Sequence, residues 1–426
     1  MPNLTSMRIR SALIAAVAAA GLALAGAPAA HAADVPGFTG TWLDSALRAQ
    51  YDLGSDLAFK NAPLLGTHNS FNSTEELGSE VTTEQVNQTH DLTDQLDYDV
   101  RSLELDLHRD PKGGETPVVC HTLPKEGCTV TKPLDPFLDE IATWLRAPDN
   151  SDQVVVLYLE DDLDDLDLHD AASATIRDEL GKLVYRPERG GGCEEVPGEL
   201  TRDDVLAAGA QVVIVSGCGT GRAWRGLAFS WERHLESRPH DFADYPDCGP
   251  DYRKQQYQSS LIRYYEDSTR VAGSGGADDG LTPESVAAME RCGVDLLSFD
   301  RIEPLDGRLE ASVWSWAVNE PSRGRCALMR TGNAFPYGRW ISKPCGNAIA
   351  VPACRNRSRW SVGKRPLDLD AAARWCERHD ATLAVPRTGF ENQQLRAAMK
   401  KGKARTALLG YRLMHGVWTP LDTRGG

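Results

Sequence analysis

Short apolar runs alternate with amphipathic stretches from Gly40 to about residue 310. Leu64–Thr67, Val118–His121, Val154–Glu160, Gln211–Ser216 and Val294–Asp300 have strand length and mostly apolar composition, the pattern of strands buried on both faces. Val100–Leu107 alternates instead. Leu103, Leu105 and Leu107 fall on one face, and Ser102, Glu104, Asp106 and His108 on the other. Between these runs, Gly40–Leu53 and Leu134–Arg146 carry helical spacing, the latter with apolar residues at 134, 137, 138, 141, 144 and 145. Helices are also predicted over Thr83–Leu96, near 171–183, and over Thr282–Cys292, where Thr282 and Ser285 make a partial capping box.

This rhythm predicts an α/β fold with a parallel sheet. Its length suits one (β/α)8 TIM-barrel-like domain over residues 33–310, with functional residues at C-terminal strand ends. The leucine face of Val100–Leu107 then meets the surrounding helices, and its polar face the interior and mouth. The stretch 220–280 has no legible rhythm. Past 310 the texture changes to tryptophan, glycine, cysteine and arginine. Residues 311–426 are expected to form a small, disulfide-supported, mainly β (α+β) module.

The amino-terminal residues read differently. Arg8 and Arg10 precede an apolar Ser11–Gly26, and Ala30-His31-Ala32 is a small-x-small cleavage site. Residues 1–32 are therefore expected to be a secretory signal peptide, giving an extracellular protein that begins at Ala33. No later segment is apolar enough to span a bilayer. The formal charge of −15, or −17 without Arg8 and Arg10, argues against a nucleic-acid partner. No polybasic run marks electrostatic docking on an anionic membrane; exposed tryptophans would be the route to peripheral membrane contact. The ten cysteines allow up to five disulfides, and Cys120 with Cys128 would staple the loop after His121. No C-x-x-C spacing supports zinc.

The chemistry concentrates at strand ends. His68 and Asn69 follow Leu64–Thr67, Glu104 and Asp106 lie on Val100–Leu107, His121 ends Val118–His121, and Glu160 ends Val154–Glu160. Asn69, Glu104, Asp106 and Glu160 are hard oxygen donors, suited to Ca²⁺, with Mg²⁺ second. Clustered carboxylates repel, and a divalent cation relieves that repulsion. His68 and His121 add an acid/base pair that titrates near neutrality. Together these groups fit phosphodiester cleavage. Arg301 and Trp231 are further substrate-contact candidates.

Gly-Thr-His68-Asn69-Ser, Arg101-Ser-Leu-Glu104-Leu-Asp106, Val-Cys-His121 and Leu-Tyr-Leu-Glu160 resemble the catalytic X-region of calcium-dependent phosphatidylinositol-specific phospholipases C, over about 60–310. The resemblance implies a distorted TIM barrel in which the inositol 2-hydroxyl attacks phosphorus. The products would be diacylglycerol and a cyclic inositol phosphate. It implies that His68 stabilises the pentacoordinate phosphate or helps activate the hydroxyl, and that His121 protonates the leaving oxygen. Asn69, Glu104, Asp106 and Glu160 would hold Ca²⁺, with Glu104 also a base. The basic residues that grip ring phosphates in eukaryotic members are not found here, which favours an unphosphorylated inositol lipid or a related derivative.

Both halves of the last segment resemble C-type lectin modules in reversed order: Trp314 to Cys354 the family's C-terminal half, and Trp360 to Tyr411 its N-terminal half. This implies Cys326–Cys345 and Cys354–Cys376 disulfides, and a glycan or cell surface as partner. The family's Glu-Pro-Asn calcium motif is Glu320-Pro321-Ser322 here.

Other motifs fail on their own terms. Gly217–Gly221 lacks the third glycine of a dinucleotide loop, Arg222 standing there, and Asp161–Asp170 lacks the glycine and glutamate of an EF-hand. Two rival readings remain: a related barrel phosphodiesterase acting on glycerophosphodiesters or other phospholipids, and a catalytically silent barrel whose C-terminal module binds carbohydrate or a surface.

Overall fold

The computed structural model describes residues 37–82, 85–123, 127–128, 130–187, 194–217, 224, 226–230, 235–237, 243–249, 263–267, 280–303, 305, 307–346 and 350–421. The expected signal peptide, Trp231 and most of Gly217–Arg222 lie outside them.

The first sheet is a path of eight parallel strands. Its order in space is Phe229–Ser230, Val212–Ser216, Val155–Asp162, Val100–Arg109, Leu64–Thr67, Leu296–Phe299, Arg263–Glu266 and Leu235–Ser237. Three of these strands come from the stretch that sequence periodicity left unread. Among the described residues no pairing joins Phe229–Ser230 to Leu235–Ser237. The architecture these residues show is mixed α/β. Leu103, Leu105 and Leu107 pack in one cluster with Phe137, Leu138 and Ile141 of the Asp135–Arg146 helix. A second cluster joins Leu64, Val154, Val156, Val213, Val215, Phe229 and Leu296. Leu65, Val155 and Val212 feed the first core and their neighbours Leu64, Val156 and Val213 the second, which accounts for the nearly unbroken apolar runs of these strands.

Several expected elements shift. Pro117–Val119 is not a member of the parallel path. It folds back antiparallel on Val100–Arg109, pairing Leu107 with Val119 and Arg109 with Pro117, and the Cys120–Cys128 disulfide ties the excursion. The helix expected over Thr83–Leu96 is only Leu92–Asp97, capped by Asp91. Upstream, Asn87 and Gln88 turn their side chains into the strand-end network instead of continuing a helix. The helix near 171–183 runs Leu166–Glu179, so the Asp161–Asp170 run passes through its N-cap, Asp165, into its first turns. Thr282 and Ser285 form a full capping box on Pro283–Cys292.

A separate seven-stranded sheet, all of it after residue 325, forms the C-terminal part. Cys326–Cys345 and Cys354–Cys376 are bonded, as is Cys248–Cys292. Trp314, Trp316, Trp340 and Tyr411 are buried together, with Trp418 against them. No tryptophan among the described residues is exposed, because these rings fill the core of a small unit. The expected membrane contact through exposed tryptophans is therefore not seen there.

Candidate active site

Register builds the site. Thr67 pairs with Phe299, so the next residues, His68 and Asp300, leave neighbouring strands at one level. On the other side Asp106 pairs with Glu160, Glu104 with Tyr158, and His108 with Asp162. Close approach of the strands needs Gly66: a Cβ there would lie 2.9 Å from Leu296 Cδ1 and 3.3 Å from Ser102 Cβ. Asn69 then adopts a left-handed φ of 47°, which asparagine tolerates, and its backbone N–H donates to Glu104 Oε2 at 2.9 Å.

His68 is held from both sides. Nδ1 lies 2.9 Å from Asp300 Oδ1 and 3.1 Å from the Asp267 carbonyl, and Nε2 lies 2.7 Å from Glu266 Oε1. Burial pushes its proton affinity down, but Glu266 and Asp300 outweigh that and hold it well above the ordinary histidine range. The two flanking carboxylates thus favour the protonated ring. Asn87 donates to Asp300 at 3.1 Å, and Gln88 donates to the carbonyls of His68 and Phe299, both at 2.7 Å. Buried Arg308 pairs with Asp267 and donates to the Asp300 carbonyl at 2.7 Å.

Glu104, Asp106 and Glu160 each offer an oxygen to one point; the three atoms lie within 4.8 Å of one another. Burial, Glu266 and Glu160 raise the Glu104 carboxyl well above its usual range, against the opposing pull of His68. Burial, Glu104 and Glu160 do the same to Asp106, and burial, Glu266 and Asp162 raise Glu160. Buried carboxylates in mutual repulsion are what a divalent cation neutralises, and the all-oxygen donor set fits a hard one. The Asn69 amide satisfies its neighbours with nitrogen donating to Asp106 (2.9 and 2.6 Å) and oxygen accepting from His68 Nε2 (2.9 Å). Its oxygen is therefore directed at His68 rather than at the carboxylate cluster.

His121 stands on the disulfide-tied excursion, half-buried. Burial, His68 and His108 lower its proton affinity, with Asp300 opposing, and its pKa falls to about 4. It is neutral at rest. His108 is lowered as well, by burial, with Asp162 at 3.5 Å opposing. Arg301 follows Asp300 with φ 48°; its N–H donates to Asn87 O at 2.7 Å and its carbonyl accepts from Arg308. The structure thus brings His68, Asn69, Glu104, Asp106 and Glu160 together, and sets His121 in electrostatic reach of His68.

The comparisons follow from this geometry. Residues 22–306 match the family model described as the Rv2075c PI-PLC-like domain. The chain belongs to that family. At the family level this PI-PLC-like domain makes it a phosphodiesterase-type enzyme. Two Mycobacterium tuberculosis proteins, Rv2075c and MT2135, each described as an uncharacterized protein, are 37% identical over 385 residues, covering 84% of this chain and 77% of theirs. Among solved structures, the phosphatidylinositol-specific phospholipase C of Listeria monocytogenes aligns at 14% identity and TM-score 0.44, covering 63% of this chain and 98% of its own. A Staphylococcus aureus phosphatidylinositol-specific phospholipase C aligns at 15% and 0.41, with the same coverages.

Sequence reasoning missed part of this PI-PLC-like site. Glu266 and Asp267 sit in the unread stretch, Glu266 ending a strand of four residues and Asp267 just after it. Asp300 was legible as the end of an apolar run, but nothing local told it from a cap. Asn87 and Arg308 reach the site only through tertiary packing. Outside the family match, Glu320 accepts from Ser322 N (2.7 Å), Ser342 N (3.0 Å) and Ser342 Oγ (2.6 Å). Its carboxylate is engaged as a structural acceptor within the module.

Proposed function

We propose that the chain is a secreted, calcium-dependent phosphatidylinositol-specific phospholipase C, its parallel strands forming the wall of a (β/α)8-type barrel. The observation that carries this is His68, fixed by Asp300 and Glu266 beside three carboxylates whose oxygens lie within 4.8 Å of one another. Glu104, Asp106 and Glu160 would hold Ca²⁺, with Asn69 joining after its amide turns. Bound there, the ion would supply charge compensation for phosphorane oxygens and a lower pKa for the attacking hydroxyl.

The chain's own residues carry the rest. His68, its charge balanced by Asp300, donates hydrogen bonds to the pentacoordinate phosphate. A phosphodiester anion arriving beside neutral His121 raises its proton affinity, and the imidazolium so formed gives its proton to the departing glycerol oxygen. A carboxylate of the cluster, Glu104 by position, takes the proton of the attacking inositol hydroxyl. Asn87 lies beside His68 and Asp300, and Arg301, whose N–H donates to Asn87 O, would add a substrate contact. Comparing phosphatidylinositol with phosphatidylcholine, whose headgroup has no hydroxyl to attack, tests the proposal. Cyclic phosphate from the first and no turnover of the second is expected. Equal turnover of both would favour a broader phosphodiesterase attacked by water.

A further inference from the structure

The net charge of −15 hides a division. Residues 311–426 hold 20 lysines and arginines against seven aspartates and glutamates, a net +13. Residues 1–310 carry the other 26 basic and 54 acidic side chains, a net −28. An acidic catalytic part is therefore followed by a cationic C-terminal one.

Sheet register gathers three of these cations. Cys326 pairs with Lys343 on one side and Arg412 on the other. Leu413 N donates to Arg325 O at 2.8 Å, and Arg325 N to Lys343 O at 3.1 Å. The Cys326–Cys345 disulfide fixes the corner. The result is a cavity of about 470 Å³ lined by Arg323, Arg325, Arg412 and His415, with Pro344 and Leu413 among its walls. Among the described residues no carboxylate lines it, and none of its three guanidinium groups has a carboxylate partner. Arg325 makes one side-chain hydrogen bond, to Leu413 O at 3.3 Å. Arg412 Nε is buried with no partner. Buried donors are almost always paired, so an orphan donor beside unneutralised guanidiniums calls for an acceptor from outside. The planar forks of arginine match a tetrahedral oxyanion.

We propose that this cavity is an oxyanion site that takes the phosphate of an anionic lipid headgroup. It would hold the acidic catalytic part at a membrane that would otherwise repel it. No run of basic residues marks the site in the sequence, because Arg323 and Arg325 meet Arg412 only across the sheet. The inference deepens the phospholipase reading by supplying its surface contact, yet its binding test needs no turnover, so the two can fail separately.

The test is sedimentation of the full mature chain, in chelator, with phosphatidylcholine vesicles with and without phosphatidic acid. Binding that requires phosphatidic acid is expected. Replacing Arg323, Arg325 and Arg412 with Gln should weaken it about five-fold per residue, the equivalent of about 1 kcal/mol per cation. Arg325→Lys keeps the charge and the fold but loses the fork, and should weaken binding on its own. As a charge-matched control, Lys400→Gln, Lys401→Gln and Lys403→Gln together should leave binding nearly intact. Equal loss in the lysine control would overturn the site in favour of diffuse attraction. Binding of inorganic phosphate without any binding of the vesicles would overturn the lipid as its source.

Discussion

His68 and Asp300 end adjacent parallel strands, and a register that pairs Thr67 with Phe299 sets Nδ1 2.9 Å from Oδ1. The contact is built into the sheet, since each residue lies one step past a strand whose partner residues are already fixed.

Asp300→Asn keeps the shape and removes the charge. With Glu266 as the remaining partner, His68 loses its proton at a lower pH than in the parent. Turnover should fall by roughly a hundredfold or more, the scale of a mispositioned acid/base group. Imidazole NMR titration beside steady-state rates checks both; unchanged His68 titration would contradict the assigned role of Asp300.

The carboxylate cluster should behave oppositely with and without calcium. Asp106→Asn removes one of three mutually repelling carboxylates, of which Glu104 and Asp106 are buried. In chelator it should raise the melting temperature, and in calcium it should lower it relative to the parent. Differential scanning calorimetry in EGTA and in Ca²⁺ measures this. A variant destabilised under both conditions would count against a cation site.

His121 is neutral at rest, burial having lowered its pKa to about 4. A bound phosphate anion beside His121 raises its proton affinity, so binding of inositol 1-phosphate at neutral pH takes up a proton from solvent. Calorimetry in buffers of different ionisation enthalpy reads that proton directly. His121→Ala should abolish the uptake while leaving the melting temperature near the parent's.

Glu290 tests the linkage between burial and pH away from the site. Burial and Asp295 raise its carboxyl well above the usual range, with Arg339 opposing, and Oε2 has no hydrogen-bond partner. The folded state therefore keeps a proton that the unfolded chain releases. Stability is full below the ordinary glutamate pKa and falls as pH rises through it towards the folded value. Glu290→Gln should flatten that slope and stabilise at neutral pH by about 1–3 kcal/mol, the cost of an unsatisfied buried group. Urea unfolding across pH gives the result.

What was legible in the sequence was what short-range pattern encodes. The alternation of Val100–Leu107 placed Glu104 and Asp106 on one face because strand period is two. Apolar runs placed His68 and Glu160 at strand ends. His121 read as the end of another parallel strand, since a three-residue antiparallel fold-back leaves the same apolar signature. Glu266 escaped because its strand has only four residues, in a stretch without periodicity. The arginine cavity and Arg308 escaped because their partners are distant in sequence, and register alone brings them together. Charge summed over the whole chain concealed a division that the two sheets make plain.

The most direct test of the central claim is ³¹P NMR of phosphatidylinositol micelles incubated with the purified protein, in Ca²⁺ and in EGTA, beside His68→Ala. The account predicts a cyclic inositol phosphate resonance that appears only with calcium and only with His68 intact. A product that forms equally in EGTA would contradict the metal assignment, and no product in calcium would contradict the inositol-lipid assignment itself.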